Sequence, residues 1–272
     1  MKLYKSPDQQ VNLINGDAIR SMADLKDDSF DIAIVDPPYG ASTQTNWNLP
    51  AEHDLKRFGG EWKIAGHAWD LITAADSFKL TIAYLTQVQR LVRDTGSIFI
   101  HSTYHNSGFV NVACQALGLE IINEIVWYKR NSFPNLSNRR LTASHETILW
   151  IHTGGEKNRR YRFNSDVAKK AYYPNDQLKK ADRQMRTVWD IPNNKKRSEI
   201  ALGKHPTQKP LAVSQRMLSI AAEEGNHLLV PFAGSGSEMI SGIRANLRVT
   251  GYEIDPDYYE LAKHRIEAEI EN

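Results

Sequence analysis

The stretch Phe30-Asp31-Ile32-Ala33-Ile34-Val35-Asp36-Pro37-Pro38-Tyr39 decides the fold. Its first six residues form an apolar run of strand length, which reads as a buried strand ending at Asp36. Pro37 and Pro38 stop that strand abruptly. Each fixes its own φ and neither donates an N–H, so the carbonyls there are open to another donor. A carboxylate, a rigid carbonyl and an aromatic ring thus meet at the C-terminal edge of a sheet, where open α/β folds bind ligands. The set suits a planar base carrying an amino group. Asp36 and a proline carbonyl can accept its two N–H protons, and Tyr39 can stack on its face. The alternative is a plain strand-ending turn with a capping Asp.

Far along the chain, the apolar Leu228-Leu229-Val230 leads into Pro231-Phe232-Ala233-Gly234-Ser235-Gly236-Ser237, and then into a helix carrying Met239, Ile240 and Ile243. Glycines there permit a tight turn and close approach of backbone to a ligand, with a helix N-terminus following. Between the two stretches the chain alternates. Phe78, Ile82, Leu85, Val88 and Val92 recur at helical spacing, predicting an amphipathic helix from Ser77 to about Arg93, capped by Asp76 or Ser77. Strands are expected at Gly96–Ile100, Ile121–Trp127, Glu146–Ile151 and Val249–Glu253, and a helix over Phe109–Leu117. A short strand, Val11–Asn15, precedes Gly16-Asp17. Such alternation indicates a doubly wound, mainly parallel α/β sheet. The strands near 121–127 and 146–151 are expected to pair as an antiparallel hairpin.

Charge is spread unevenly. From Lys129 to Lys209 there are 19 Lys and Arg against 7 Asp and Glu, in a chain whose net charge is only +2, so the remainder is acidic. A basic surface on one segment suits a polyanion. Gly154 to Leu202 also lacks sustained periodicity. Gly40 to His67 is polar and irregular directly after the Asp36 turn, with Asn46, Trp47, Trp62 and His67 scattered through it, which marks a functional loop. The single cysteine, Cys114, lies on a helix face and reads as core. No disulfide framework and no Cys/His metal spacing is present, as expected of a cytoplasmic protein, and no metal is called for. No apolar run reaches membrane length, and the first residues lack a signal-type apolar core.

Three blocks carry a resemblance. Asp36-Pro37-Pro38-Tyr39 resembles the catalytic motif of S-adenosylmethionine-dependent DNA amino-methyltransferases, and Pro231 to Ser237 resembles their cofactor loop. His205-Pro206-Thr207-Gln208-Lys209-Pro210 resembles a third block of that family. The order, catalytic motif first and cofactor loop last, is similar to the β class. The resemblance covers nearly the whole chain. It implies a seven-stranded-type methyltransferase sheet, circularly permuted, forming one catalytic domain over residues 1–272 with a basic target-recognition insert at 129–203. It implies adenine N6 as the acceptor, with Asp36, Pro37, Pro38 and Tyr39 catalytic, because the cytosine N4 group more often begins this motif with Ser. A cytosine C5 enzyme needs a Cys nucleophile, and Cys114 stands in no suitable motif.

The resemblance also implies where the cofactor sits. Asp17, Ala18, Asp36, Gln208, Lys209, Phe232, Ala233, Gly234, Ser235, Gly236, Ser237, Glu238 and Glu253 would line it. Asp17 would take the adenine amino group, although it also suits an N-cap. Glu253, at a strand tip, would hold both ribose hydroxyls, as acids do in dinucleotide folds. Asp255-Pro256 would cap and start the last helix, and Pro210 would stand in the first turn of a helix ended by Gly225. One departure stands out. Val230 occupies a place where the family commonly carries Asp, and Glu238 in the following helical turn could supply that charge instead. DNA is the implied partner, its target base flipped out or single-stranded, with Lys129, Arg130, Asn135, Arg139, Arg140, Arg159, Arg160 and Arg162 as contacts. The family setting also allows a homodimer and a cognate restriction endonuclease. The remaining alternatives are cytosine N4 transfer and a non-catalytic nucleic-acid-binding protein on a decayed methyltransferase fold.

Overall fold

The computed structural model describes residues 2–38, 73–132, 134, 139, 141–155, 159–170, 173, 176, 183–193, 197–203 and 205–271. Tyr39, the Gly40 to His67 loop, Asn135 and Arg140 lie outside the described residues.

Nine strands among the described residues form one sheet. They are β1 (Lys2–Lys5), β2 (Val11–Asn15), β3 (Phe30–Val35), β4 (Val92–Ser102), β5 (Glu120–Tyr128), β6 (His145–His152), β7 (Val188–Asp190), β8 (His227–Val230) and β9 (Arg248–Glu253). Their order is β1-β2-β9-β8-β3-β4-β6-β5-β7. The five strands from β2 to β4 run parallel, β6 runs antiparallel between β4 and β5, and β5 pairs with β7 in parallel. Seven strands make the expected methyltransferase-type sheet, and β1 and β7 extend its two edges. The expected hairpin of β5 and β6 is present, with Tyr128 opposite His145.

The pairing of β2 with β9, Asn15 opposite Glu253, brings the two chain ends into one sheet, as a permuted order requires. Apolar side chains on the two sheet faces build two cores. One contains Ile32, Ile34, Phe99, Met217 and Met239, and the other contains Ala33, Val35, Leu85, Val88 and Cys114. Successive residues of β3 thus alternate between cores, as period-two geometry demands of a strand buried on both faces. Cys114 is fully buried, and burial pushes its thiol up to about 12.

Helix boundaries differ from the expectations in instructive ways. The helices are α1 (Ala18–Ala23), α2 (Ala74–Leu91), α3 (Ser107–Ala116), α4 (Ser165–Lys170), α5 (Arg197–Ile200), α6 (Leu211–Ala221), α7 (Ser237–Arg244) and α8 (Pro256–Ile270). Helix α2 is capped by Thr73, not by Asp76 or Ser77. The Thr73 hydroxyl accepts the Asp76 N–H at 3.1 Å and donates to the Asp76 carboxylate at 2.7 Å, a reciprocal arrangement akin to a capping box. Pro210 is the N-cap of α6 rather than a first-turn residue, and α6 ends at Ala221, before Gly225. Asp255 caps α8 as expected, accepting the N–H groups of Asp257 and Tyr258, with Pro256 at its start.

The stretch 129–203 is not a single excursion. Strand β6 lies inside the sheet and β7 closes its edge, while Ile191, Trp189 and Ala168 join the first core. The expected strand over Glu146–Ile151 is thus present as β6, whereas the basic composition of the stretch hid β7, whose apolar residues are flanked by charged loops.

Candidate active site

The parallel strands β2, β9, β8, β3 and β4 all end on one edge of the sheet, and the motif residues gather there. Asp36 follows the last residue of β3, and Pro37 behind it is buried. The Asp36 carboxylate accepts a hydrogen bond from the Lys209 ammonium at 2.7 Å. The same ammonium lies 3.8 Å from Glu146, whose other oxygen accepts from Lys129 at 2.8 Å. Lys209 is 3% exposed. Burial alone would lower its pKa, but Asp36 and Glu146 outweigh that and raise it, so it remains a cation beside the catalytic-motif carboxylate. His101, at the end of β4, completes the wall. It is fully buried, and neither ring nitrogen has a hydrogen-bond partner among the described residues. Burial pushes its pKa down to about 4, with Asp36 and Glu146 acting upward and Lys209 downward. His101 is therefore neutral near pH 7, with one donor and one acceptor nitrogen.

The glycine turn stands beside this wall. Gly234 and Gly236 have φ of 50° and 77°, which an L side chain would strain. At Gly251 on β9 an added Cβ would strike Met239 of α7, so a bare backbone lets that helix lie close on the strand. Glu253 holds the turn in place. One carboxylate oxygen accepts the Gly234 N–H at 2.7 Å and the other accepts the Asp255 N–H at 2.8 Å. Burial still pushes its pKa up to about 7. From α8, the buried Arg265 guanidinium donates to the Ser235 carbonyl. Nothing in the local sequence marked Arg265, which is reached only when α8 packs against α7.

The other motif residues lie around this turn and wall. Asp17 caps α1, one oxygen accepting from Ile19 at 2.9 Å and Arg20 at 3.2 Å. Ala18 is buried directly behind it. Gly16 donates to the Glu253 carbonyl at 3.0 Å, which joins the Asp17 turn to the Glu253 tip. Phe232 is half-buried and meets Tyr84 edge-on, ring centres 5.7 Å apart. Gln208 points into backbone, donating to the Glu199 carbonyl at 2.9 Å. His205 packs its ring against Tyr258, centres 4.1 Å apart, near Gly234. Ser237 and Glu238 open α7 and are both buried.

A family model described as DNA methylase, N6_N4_Mtase, matches residues 30–264. The chain belongs to that family. It is 31% identical over 272 residues to the type II methyltransferase M2.DpnII of Streptococcus pneumoniae, covering 99% of this chain and 94% of that one. Its fold is shared with TTHA0409, a putative DNA modification methylase of Thermus thermophilus, solved in complex with S-adenosyl-L-methionine. That likeness has a TM-score of 0.62 at 24% identity, over 95% of this chain and 93% of that chain. The fold is also that of the cytosine-N4-specific PvuII DNA methyltransferase, with a TM-score of 0.70 at 13% identity, covering 97% and 90% of the two chains.

For a DNA methylase, the placement of cations matters. Arg159, Arg160 and Arg162 pair with Glu120, Asp94 and Glu223 at 2.7, 2.6 and 2.5 Å. Glu120 starts β5, Asp94 stands near the start of β4, and Glu223 precedes β8. All three therefore lie at the edge where the parallel strands begin, opposite Asp36. The strand rise puts about 20 Å of β4 between Asp94 and His101. Lys129 and Arg130 follow the end of β5, on the Asp36 edge, and Arg139 lies in the same β5–β6 connection. Arg130 is held by both oxygens of Asp190, at 2.9 and 2.5 Å. Among the described residues no helix is long and apolar enough to cross a membrane.

Proposed function

We propose that the chain transfers the methyl group of S-adenosylmethionine to the N6 amine of adenine in DNA, leaving S-adenosylhomocysteine. The observation that carries this reading is the juxtaposition of Asp36, ended by two prolines, with the glycine turn and Glu253 on one sheet edge. The residues present suit the cofactor. The turn offers backbone approach without side chains, and Glu253 is a buried carboxylate with lone pairs left for hydroxyl donors. Asp17, Ala18 and Phe232 would line its adenine, Glu253 its ribose, and the turn from Ala233 to Ser237, with Gln208 and Lys209 from the facing block, its other end. When bound, S-adenosylmethionine supplies an already activated methyl group, so no covalent enzyme intermediate is required.

The chain's own task is positioning. Asp36 and the Pro37 carbonyl accept hydrogen bonds from the two N–H groups of the target amine. That directs the amine lone pair away from them, and the carboxylate charge opposes the positive charge that grows on nitrogen. The one proton that the methylated nitrogen must lose leaves through the Asp36 carboxylate to solvent. Lys209 fixes the carboxylate through one of its oxygens. Tyr39 stacks on the flipped or unpaired base. Adenine is favoured over cytosine because the motif begins with an acid. Incubation with labelled cofactor and DNA, followed by hydrolysis to nucleosides, tests this directly. Label in N6-methyladenine is expected; label in N4-methylcytosine would move the enzyme to the other acceptor, and no label would leave a binding protein. Work in the cytoplasm, action as a homodimer and pairing with a cognate restriction endonuclease fit the same reading.

Glu253→Ala should weaken cofactor binding by about 1–3 kcal/mol, since a hydroxyl pair loses its acceptor and Gly234 and Asp255 lose theirs. Calorimetry checks this; unchanged affinity would place the ribose elsewhere.

The cation placement supports a DNA path along the Asp36 edge. Neutralising Arg130 and Arg139 should reduce the slope of log K against log salt by about 0.9 on duplex DNA, or about 0.7 on single strands, for every phosphate left without its cation. Neutralising Arg159, Arg160 and Arg162 together should leave that slope nearly unchanged. The reverse pattern in salt titrations would put DNA on the opposite edge of the sheet.

A further inference from the structure

Glu238 is an anomaly of charge and burial. It is the second residue of α7, directly after the glycine turn, and it is 4% exposed. Its Oε1 has no hydrogen-bond partner among the described residues. A carboxylate at a helix N-terminus is favoured by the helix dipole, but that does not account for an unsatisfied acceptor in the interior. Buried acceptors are nearly always satisfied, and an exception asks for an explanation. Among the described residues each neighbouring acid has a donor or a close cation, and the one other orphan carboxylate oxygen nearby, Glu146 Oε2, lies 3.8 Å from the Lys209 ammonium. Asp36 is engaged by Lys209, Glu146 by Lys129, and Glu253 by two backbone N–H groups.

The surroundings say what kind of donor would suit it. Val230, at the end of β8, is fully buried and apolar, so it offers no charge at the base of the turn. Asp36, Lys209 and Arg265 are the charged groups acting on Glu238. Lys209 is shared between Asp36 and Glu146, and Arg265 donates to the Ser235 carbonyl and the Ser237 hydroxyl. Neither cation makes a hydrogen bond or close ion pair to Glu238 among the described contacts. A donor that is itself cationic, brought by the ligand of the glycine turn, would meet the need for both hydrogen bonding and charge.

We infer that Glu238 is a ligand-binding residue that accepts the α-ammonium group of the cofactor's amino-acid end. This rests on the proposed use of S-adenosylmethionine. The site thereby divides the two ends of the cofactor between two acids, Glu253, which holds the Gly234 N–H, for the ribose, and Glu238, in the helix that follows the turn, for the ammonium. It leaves Asp36 for the target amine. The raised pKa of Glu238, about 7, fits a carboxylate kept from its natural counter-ion; burial is the main cause and Asp36 adds to it, while Lys209, a hydrogen bond from its own backbone N–H and Arg265 oppose it.

The test compares two ligands on wild type and Glu238→Gln by calorimetry. S-adenosylhomocysteine carries the amino-acid end, whereas 5′-methylthioadenosine carries the same nucleoside and thioether without it. Glu238→Gln should weaken S-adenosylhomocysteine by tenfold or more and change 5′-methylthioadenosine by less than twofold. A second readout is proton linkage. A bound ammonium favours ionised Glu238, so S-adenosylhomocysteine should release protons near pH 7, read from the dependence of binding enthalpy on buffer ionisation heat. Glu253 titrates in the same range but faces both ligands, so the difference between them isolates Glu238. That difference should vanish in Glu238→Gln. Equal weakening of both ligands would make Glu238 a brace of the turn and overturn the inference, as would unchanged affinity for both. If wild type bound neither ligand, the cofactor assignment itself would fall and this inference with it. If it bound both and only the glutamine variant behaved unexpectedly, the cofactor assignment would stand.

Discussion

Replacing Asp36 by alanine is expected to lower methyl transfer by a hundredfold or more, while cofactor affinity changes by only a few-fold. The asymmetry follows from where the carboxylate acts. It meets the target amine, whose charge grows only as the methyl moves, so its contribution is largest in the transition state. One complication is built into the site. Asp36 is the close partner of Lys209, and its removal leaves that buried ammonium with Glu146 at 3.8 Å. Asp36→Asn separates the two effects. Its amide oxygen can still accept a hydrogen bond from Lys209, but it brings no charge to the amine. A rate tenfold or more below wild type for the asparagine variant, with thermal stability close to wild type, would assign the loss to charge on the acceptor side. Near-normal turnover in either variant would remove Asp36 from the mechanism.

Two acids give the site an unusual pH response. Glu238 and Glu253 both have pKa values pushed up to about 7 from 4.5, chiefly by burial. Between those values the folded state holds protons that the unfolded chain has released, so the contribution of these two groups to stability falls as pH rises from about 4.5 through 7. Melting temperatures of the ligand-free protein at pH 5.5 and 7.5 check this. The difference between those temperatures should shrink in Glu238→Gln.

Much of this was legible in the sequence, for reasons that can be named. The strands of the sheet are apolar runs bounded by turn residues, and burial on both faces leaves little ambiguity about them. The glycine turn and the Asp36 turn announce themselves because backbone geometry demands Gly and Pro at fixed places. The meeting of the chain ends followed from where Asp17, Val230 and Glu253 had to stand. What stayed hidden was pairing between distant residues. Glu146 read as the start of a strand, and its link to Lys209 and Asp36 exists only because β6 inserts between β4 and β5. Nothing in the sequence singled out His101, because it stands one residue past the expected strand end at Ile100. The three arginines from Arg159 to Arg162 matched a phosphate-binding composition, but composition does not say on which edge of a sheet a loop emerges.

The same blindness concealed the pair with the largest expected effect on stability. Arg216 on α6 is 1% exposed in its side chain, and it makes a two-pronged contact with Asp176, itself 4% exposed. Its guanidinium lies 3.7 Å from the centre of the Tyr173 ring and 4.6 Å from that of Trp189. Asp176 also accepts the Asp190 N–H at 3.3 Å, and Asp190 in turn holds Arg130. One ion pair thus anchors β7 and its approach to the catalytic core. Arg216→Ala strands a buried carboxylate and should destabilise by about 3–5 kcal/mol, or roughly 10 °C in melting temperature for a chain of this size. Replacing both partners, as in Arg216→Met with Asp176→Leu, should recover most of the loss, because the penalty lies in the unpaired charge rather than in the absence of the pair. The damage should also be local. Hydrogen exchange should rise first in residues 183–193, whose contacts with the core run through Arg216 and β5, and later in β2, β8 and β9. Below its melting temperature the single variant should therefore keep its affinity for S-adenosylhomocysteine and lose affinity for DNA, since Arg130 depends on Asp190 and the cofactor turn does not. Equal loss of both, with exchange rising together across the sheet, would mean that the basic segment and the methyl-transfer core unfold as one unit.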